Sequence, residues 1–557
     1  MSRSTTPPAK STAQEGFRQA MSWLHTWSGL VLGWLLFAIF VTGTLSFFKN
    51  EFNLWMRPEL HGLPAADSLV AQRAQQALRA HAPDVTQFIM RLPDPRTPAV
   101  TVLWRGTGNG RFETLMLHPQ TGAVLQARET AGGEFFYRFH FELRTAHSGR
   151  WTLQGRWIVG VATLLMFVAL LTGVVTHRRI FKDFFTFRPR KGGQRAWLDA
   201  HNVSGVLALP FYLMITFSGL MIFHAIYMPA GINAGYPGAQ GTDTQAYFDE
   251  LQGDVAGARS ARRTRGGDAQ AQPLPEIKLA PMLEQAGHIW QGGRVGGISV
   301  AGSPQGPVVE ITRHDGDRLQ YGPPRLRFDG STGSLLNELN PQGPAIKTYG
   351  VLYGLHLARF ADTGLRWTLF GFGVLGSLMI ASGMVLWSVK RRAQSQRKAA
   401  VAGLPFDERL VAGLNIGLMG GLPLAIAAIL YANRLLPATL PQRPDAELLW
   451  FFSAWGLALL VGLLWPQRSG WAAVLGTAGL GFLALPLLNA LTTAAHLGAS
   501  LPAHEWVWAG MDLSFSVFGL LLIGLTRHLL HRSAPLPQRA ARPARSAAAT
   551  PTTTQEA

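Results

Sequence analysis

The chain has 557 residues, of which 48% are hydrophobic and only 15% are charged, a low charged fraction for a soluble protein. It contains no cysteine, which excludes disulfides, iron–sulfur clusters, thiol catalysis and covalently attached c-type haem. The formal net charge of +18 is concentrated beside apolar segments, as in the cytoplasmic loops of membrane proteins, so we expect a lipid bilayer and no nucleic acid as partner.

Apolar runs of about 20 residues or more recur along the chain, and each is long enough to cross a bilayer. They predict a polytopic α-helical membrane protein with eight spans, near 23–48, 154–177, 198–226, 365–389, 409–432, 447–465, 471–494 and 507–528. The first run is too long for the core of a signal peptide, so we expect an uncleaved helix. The basic loops 178–197 and 390–408 and the arginine-rich tail then share the side of the N-terminus, which predicts that both termini are cytoplasmic.

Two long polar segments, about 49–150 and 228–355, lie on the opposite side of the membrane in this arrangement. Each contains a helix-like stretch followed by short alternating strands, and each ends in a Thr-Gly turn. Gly122 and Gly333 fit the positive-φ position of such a turn. The sequence therefore predicts two small α+β domains outside the membrane, the second with a flexible insertion at 255–275.

The first 390 residues contain an internal duplication. A shift of 176 residues places His25 on His201, and a shift of 216 residues places His140 on His356. The predicted organisation is a cytoplasmic N-terminus and first helix (1–48), a first outer domain (49–150), two helices with a basic loop (151–227), a second outer domain (228–355), a fourth helix (356–392), a four-helix membrane extension (393–530) and a disordered cytoplasmic tail (531–557).

Six histidines lie at the ends of predicted spans, at two depths. The candidates are His25, His177 and His201 at the inner level and His140, His224 and His356 at the outer level. One such histidine is more often an ordinary interfacial residue. Six histidines at two matched depths favour a functional role, because burying ionisable groups in a membrane is costly. Haem ligation is such a role, since neutral imidazoles from facing helices can hold b-type haem. His201 and His224, 23 residues apart, would be about 34 Å apart on a straight helix and so belong to different sites.

Glycines accompany the inner histidines. Gly29 and Gly33 follow His25 by one and two helical turns, and Gly205 follows His201 in the same way. They would leave space for a flat macrocycle, or else they would allow close packing between helices.

Two arginines lie near the outer level. Arg150 and Arg366 are suited to bind haem propionates or an anionic ligand through bidentate hydrogen bonds, or else they anchor the helices. The sequence contains no Walker loop, no dinucleotide-binding glycine motif and no zinc-protease motif. Nothing in the sequence resembles a flavin or nicotinamide domain. If the histidines hold haem, its electrons would therefore have to come from a quinol, a soluble donor or a partner protein.

The chain resembles the PepSY-associated transmembrane proteins over about residues 15–392. The resemblance lies in 23-WLHTWSGLVLGW-34, 172-TGVVTHRR-179, 183-DFFTFRPRKGGQRAWLDAHNVSG-205 and the two outer domains. This family includes iron-regulated inner-membrane proteins and bacterial siderophore reductases with two b-type haems. At positions 144 and 212, where members often have further histidines, this chain has Arg144 and Tyr212.

The resemblance implies two PepSY-like periplasmic domains and an inner-membrane ferric-siderophore reductase with two haem b groups. Its substrate would be a ferric siderophore, and its donor a quinol or a cytoplasmic reductase. The iron ligands would come from the same six histidines, with the duplicated residues His25, His201, His140 and His356 as candidates for the haem iron. Two other functions stay open: a non-redox membrane protein whose outer domains bind a protease or peptide, and a transporter of iron chelates. The spans contain few of the broken, charged midplane segments that transporters use.

Overall fold

The computed structural model of this protein describes residues 12–107, 112–143, 154–177, 193–238, 241–251, 272–340, 342–398 and 405–531. Most of the predicted insertion at 255–275 lies outside these residues. The predicted tail at 531–557 lies outside them after its first residue.

The described residues are mainly helical. The first helices in chain order are α1 (Thr12–Ser46), α2 (Lys49–Trp55), α3 (Val70–His81), α4 (Gly132–Glu142), α5 (Gly155–Thr176), α6 (Gly193–Leu207), α7 (Leu209–Ile222), α8 (His224–Tyr227), α9 (Ala230–Gly235) and α10 (Thr244–Leu251). The later helices are α11 (Leu279–Ile289), α12 (Pro344–Leu357), α13 (Thr363–Lys398), α14 (Phe406–Leu414), α15 (Gly421–Leu435), α16 (Arg443–Leu464), α17 (Arg468–Thr492), α18 (Leu497–Ser500) and α19 (Trp506–His531). A π-helical turn, Asn415–Gly420, joins α14 to α15, and short 3₁₀ turns cover Pro58–Leu60 and Asp315–Asp317.

Seven helical segments of the described chain are long and apolar enough to cross a membrane. They are α1, α5, α13, the continuous segment from α14 to α15, α16, α17 and α19. The pair α6 and α7 makes an eighth if it is counted as one span. The prediction of a polytopic helical membrane protein with about eight spans is therefore confirmed.

The third span is bent rather than straight. The axes of α6 and α7 differ by 68° across the break at Ala208. Pro210 lies in the first turn of α7, where a proline starts a helix well but provides no N–H to bond the preceding turn. The sequence predicted one continuous helix over 198–226, with about 34 Å between His201 and His224. That prediction is wrong because the helix breaks between the two histidines.

Both polar segments contribute strands to one sheet. The strands are β1 (Val85–Arg91), β2 (Val100–Gly106), β3 (Glu113–Leu117), β6 (Val295–Ser303), β7 (Gly306–Arg313), β8 (Arg325–Asp329) and β9 (Leu335–Leu339). Their order is β3-β2-β1-β6-β7-β8-β9, and every neighbouring pair is antiparallel. A separate two-stranded ribbon pairs β4 (Pro237–Gly238) with β5 (Gly241–Thr242).

The junction of the two segments lies in the middle of this sheet. Strand β1 pairs with β6, with Phe88 opposite Val300 and Met90 opposite Ile298. Helices α3 and α11 share a hydrophobic core with the alternate residues of one sheet face. The sequence predicted two separate domains. The structure differs because β1 and β6 would each be an open edge in an isolated domain, and pairing them satisfies both rows of backbone groups.

The two predicted glycine turns occur in the sheet. Gly122 has φ of 70° and its N–H donates to the His118 carbonyl at 3.0 Å. Gly333 has φ of 79° and its N–H donates to the Asp329 carbonyl at 2.8 Å. Left-handed backbone of this kind favours glycine because a Cβ would clash with the chain. The positive-φ assignment of both glycines is confirmed.

The four C-terminal spans dock onto the first half of the chain through polar contacts. Trp55 donates its indole N–H to Asp512 at 2.8 Å, and Asn433 donates to the Met56 carbonyl at 3.0 Å. Deeper in the bundle, Asn415 of the π-helical turn accepts a hydrogen bond from Trp34 at 2.9 Å. The C-terminal spans are thus fixed to α1 and α2 rather than packed only through apolar faces.

Candidate functional site

Two histidine pairs form inside the helical region. His25 of α1 and His201 of α6 have ring centroids 6.1 Å apart, with ring planes at 69°. We call them the inner pair. His140 of α4 and His356 of α12 also have centroids 6.1 Å apart, with planes at 33°. These form the outer pair, named for the sheet-bearing segments that precede them. The duplicated histidines therefore meet across the two repeats.

Each of these histidines is oriented through its Nδ1 atom. In the inner pair, Nδ1 of His25 lies 2.9 Å from the Ala169 carbonyl oxygen, and that of His201 lies 2.8 Å from the Met379 carbonyl oxygen. A carbonyl oxygen only accepts hydrogen bonds, so Nδ1 must carry the proton in this geometry. The lone pair then lies on Nε2, which is the arrangement of a metal-binding imidazole held by an outer hydrogen bond.

The outer pair is held in a similar way. His140 Nδ1 lies 2.8 Å from the Ile39 carbonyl oxygen, while His356 Nδ1 lies 3.0 Å from the Ser218 hydroxyl, and the His356 ring also bonds the Ile215 backbone. Helices α4 and α12 are not among the candidate spans. Burial lowers the pKa of both imidazoles, that of His356 to about 3. Both rings are therefore neutral at physiological pH, the form that binds iron.

A glycine on a neighbouring helix makes room for each of the four rings. The glycines are Gly173 against His25, Gly383 against His201, Gly43 against His140 and Gly219 against His356. A Cβ on any of them would lie 2.6–3.2 Å from the histidine Cε1 atom. Each glycine lies four residues after the residue whose backbone holds the ring, namely Ala169, Met379, Ile39 and Ile215. The same local arrangement, a glycine beside an accessible carbonyl, thus occurs four times.

The ring spacing fits two imidazoles bound to one iron. With metal–nitrogen bonds of about 2 Å and the ring centroid about 1.1 Å behind its nitrogen, two ligands on opposite sides of a metal have centroids about 6.2 Å apart. Among the described residues, no group of three or more His, Asp or Glu side chains is placed to hold a bare metal ion. Each pair could therefore hold the iron of a cofactor that supplies further ligands of its own, as haem does.

The other two candidate histidines are placed differently. His224 uses both ring nitrogens within the protein, since Nδ1 lies 2.9 Å from the Met221 carbonyl oxygen and Nε2 bonds the Tyr247 hydroxyl. It is not brought to the outer pair. His177 follows the last residue of α5 and lies close enough to His201 to interact with it electrostatically.

The three predicted clearance glycines are not equivalent. No atom lies within 4 Å of the position that a Gly29 Cβ would take, so the space beside α1 is open there. Gly33 packs directly against the Met384 sulfur, and a Gly205 Cβ would lie 3.3 Å from the Met379 sulfur. Only Gly29 borders open space next to a paired histidine, whereas Gly33 and Gly205 bring helices together.

The structure describes only one of the two predicted anion-binding arginines. Arg366 is buried, and its guanidinium donates to Glu51 at 3.4 Å and to the Ala361 carbonyl at 2.9 Å. Glu51 is also held by Arg96 through two hydrogen bonds of 2.7 and 2.8 Å. Arg366 is therefore already paired with a carboxylate of the protein, that of Glu51. Arg150 lies outside the described residues.

A set of tyrosines beside the outer pair was missed by the sequence analysis. Tyr137 precedes His140 by three residues, and Tyr353 precedes His356 by three, so each lies one helical turn from its histidine. Tyr353 stacks on Tyr321 with centroids 3.9 Å apart and planes at 10°. The shift of 216 residues that pairs the histidines also superposes Tyr137 on Tyr353, a signal that could have identified both.

Aromatic residues also lie between the two histidine pairs. Phe40, next to the Ile39 that holds His140, contacts Tyr212 edge to face with centroids 6.1 Å apart. The Tyr212 hydroxyl donates to the Ser204 carbonyl at 2.9 Å, and Ser204 follows His201 by three residues in α6. Tyr212 is fully buried. A continuous packed path therefore joins the outer pair to the inner pair.

The chain is similar to the protein of Pseudomonas aeruginosa named uncharacterized protein PA4219, with 26% identity over 397 residues, which cover 66% of this chain and 89% of that protein. Residues 22–390 match the family described as the PepSY-associated TM region, and this range contains both histidine pairs and the whole sheet. The chain therefore belongs to the PepSY-associated TM region family.

Proposed function

We propose that this protein binds two b-type haems through its inner and outer histidine pairs, carries electrons across the membrane and reduces a ferric siderophore on the side of the sheet. The observation that supports this most directly is the equal 6.1 Å centroid separation of both pairs. In all four rings Nδ1 is already hydrogen-bonded, which leaves Nε2 for the metal.

Each part of the chain has a definite task in this proposal. When bound, haem supplies one-electron chemistry, with a potential that depends on its axial ligands and on burial. The four histidines hold the two irons, and the backbone acceptors keep their rings from rotating. The packed residues between the pairs exclude water from the interior. Ferric iron in the chelate takes up one electron and becomes ferrous iron, which oxygen-rich chelators hold less tightly.

The proposed orientation follows from charge. The basic segments 178–197 and 390–408 and the arginine-rich tail favour the cytoplasm, so the sheet would lie in the periplasm of a bacterial inner membrane. The electron donor would then be a quinol in the bilayer or a cytoplasmic reductase that reaches the inner pair. The transfer conserves electrons, since each one taken from the donor reduces one ferric ion.

The test is the haem content of the purified protein after expression with ample haem supply. We expect a b-type reduced-minus-oxidised spectrum and two haems per chain. His201→Ala and His356→Ala should each leave about one haem, while the double variant should leave none. His288→Ala is the matched control, because its side chain is 80% exposed on α11, and it should retain two haems.

Two results would overturn the proposal. A haem-free wild-type protein would favour a non-redox binding protein or a chelate transporter. A wild-type haem ratio that persists in both histidine variants would show that the pairs are not the ligands. For the loaded protein, liposomes with a trapped reductant should reduce an external ferric chelate, and the His356→Ala variant should lose this activity.

A further inference from the structure

The three tyrosines beside the outer pair form a connection from the buried histidines to the protein surface. Tyr353 lies one turn before His356 and stacks on Tyr321, a residue that is 37% exposed. Tyr137, one turn before His140, approaches the same group, since it interacts electrostatically with Tyr321 and Arg359. Both halves of the outer pair therefore present a tyrosine to one surface ring.

The loop that carries Tyr321 is held tightly against α12. The Tyr321 N–H donates to the Gly350 carbonyl at 2.9 Å, and a Cβ on Gly350 would lie 2.7 Å from Gln320. Gly354 packs directly against the Leu319 carbonyl oxygen. Two glycines one turn apart thus let the loop lie on the helix, so the stacked ring has a fixed position and its exposed part is preorganised for contact.

Positive charge surrounds this exposed ring. Arg359 lies over Tyr321, with its guanidinium carbon 5.8 Å from the ring centroid, and it also pairs with Asp315. Arg318 has no ion pair with any residue in the described part of the chain. These residues border a small surface cavity of about 10 Å³, which is also lined by Leu319 and Phe360. Two guanidinium groups and one carboxylate leave the cavity with an excess of positive charge.

We propose that this surface, which we call the Tyr321 surface, docks the electron acceptor, and that the acceptor is an anionic ferric chelate with catecholate arms. The inference rests on the proposed function. A catecholate ring can pack against the exposed part of Tyr321 and the guanidinium of Arg359, and its oxygens can accept hydrogen bonds from Arg318. The chelate would lie on this surface rather than inside the cavity, which has room for about one water molecule. A neutral hydroxamate chelate offers neither the aromatic face nor the charge.

The chemical step at this surface is a transfer of one electron. Ferric iron in the docked chelate gains the electron and becomes ferrous, and a haem that His140 and His356 would hold would supply this electron. No covalent bond forms or breaks, and no proton is required. The Tyr321 surface brings the chelate next to Tyr321, which stacks on Tyr353 in the helix that carries His356.

Docking can be measured without redox chemistry by using gallium. Ga³⁺ has the charge of ferric iron but is not reduced, so its complex with 2,3-dihydroxybenzoate reports binding alone. We expect saturable binding to the wild-type protein in nanodiscs at low salt, by calorimetry. Arg318→Gln and Tyr321→Leu should each weaken binding by about tenfold or more, and raised salt should weaken wild-type binding. The gallium complex of acetohydroxamate should bind at least about tenfold more weakly.

The control is Arg91→Gln, which removes an exposed positive charge from strand β1 and should leave binding unchanged. Equal affinities for the wild-type, Arg318→Gln and Tyr321→Leu proteins would overturn the docking proposal, as would equal binding of the two gallium complexes. Haem content separates this result from the proposed function. If a haem-free protein binds the gallium complex and binding depends on Arg318, the docking proposal holds and the proposed function fails. If the protein contains two haems but does not bind the gallium complex, the docking proposal fails and the proposed function stands.

Discussion

Arg443 and Glu447 form an ion pair one turn apart on α16, and neither side chain has any solvent-exposed surface. Glu447 also accepts hydrogen bonds from the Thr130 hydroxyl at 2.7 Å, from the Ala131 N–H at 2.8 Å and from the Asn433 amide at 2.8 Å. Arg443 in turn donates to the Glu129 carbonyl at 2.8 Å. This ion pair therefore joins the C-terminal spans to the segment that leads into α4 and its histidine.

Removing one member of this pair should destabilise the protein strongly. Glu447→Ala leaves Arg443 buried without its carboxylate, a loss of about 3–5 kcal/mol for pairs of this kind. We expect a clearly lower unfolding temperature in detergent, measured by tryptophan fluorescence. Asp407→Ala is the control, because its pair with Arg391 is about half exposed and should contribute less than about 1 kcal/mol. Similar shifts for both variants would contradict this account of the docking contact.

The glycine behind His140 should be essential for the outer pair. A Cβ on Gly43 would lie 2.6 Å from both Cε1 and Nδ1 of His140, so the ring must move and lose its bond to Ile39. Gly43→Val should therefore reduce the haem content from two to about one, with the inner site retained. Gly524→Val is the matched control, since no atom lies within 4 Å of its Cβ position in α19. Two haems in the Gly43 variant would show that the ring tolerates displacement.

Membrane spans were predictable because a bilayer imposes one requirement, an apolar run of sufficient length, that is visible in the sequence. The equivalent histidines were also predictable, because the duplication that relates them depends only on spacing in the sequence. The break at Ala208 was not predicted, although Pro210 was a visible signal, because helices that span a membrane also tolerate proline in their interior. The β1–β6 pairing depends on contacts between segments about 200 residues apart, which local patterns do not encode.

For the site, sequence reasoning identified all four paired histidines but not their environment. Whether His25 faces His177 or His201 depends on how α1, α5 and α6 pack, and the structure places His201 beside it. The four glycines behind the rings lie on other helices than the histidines they contact, so no local spacing reveals them. Arg366 was expected near an anionic ligand, but its nearest carboxylate, Glu51, comes from a distant part of the chain.

Gly29 should be sensitive to size for a different reason from Gly43. No protein atom lies near its Cβ position, so a larger side chain there meets no steric barrier within the protein. A leucine would, however, fill the open space one turn from His25, where a macrocycle held by the inner pair would lie. Gly29→Leu should lower the haem content to about one without changing the unfolding temperature of the haem-free protein. Retention of both haems would mean that the macrocycle extends to the other side of His25.

The sheet should show a stability that depends on pH through Asp317. Its carboxylate accepts hydrogen bonds from the backbone and side chain of Arg294, both at 2.8 Å, and a longer one from Arg313 at 3.4 Å. Burial alone would raise the pKa of Asp317, but these bonds outweigh it and lower the pKa below its ordinary value. They connect the start of β6 to the end of β7.

A carboxylate with a lowered pKa stabilises the folded state above its unfolded pKa, about 3.9 for aspartate, and this contribution is lost as pH falls through the folded value. Asp317→Asn should therefore lower the unfolding temperature at pH 7, by the equivalent of about 1.5–3 kcal/mol for hydrogen bonds to a charged group. The difference from wild type should shrink below about pH 4, where the wild-type carboxyl is also protonated. Glu284→Gln, on the 78% exposed side chain in α11, should have no effect at either pH. A difference between the Asp317 variant and wild type that is the same at pH 3 and pH 7 would mean that the charge of Asp317 is not what stabilises this part of the sheet.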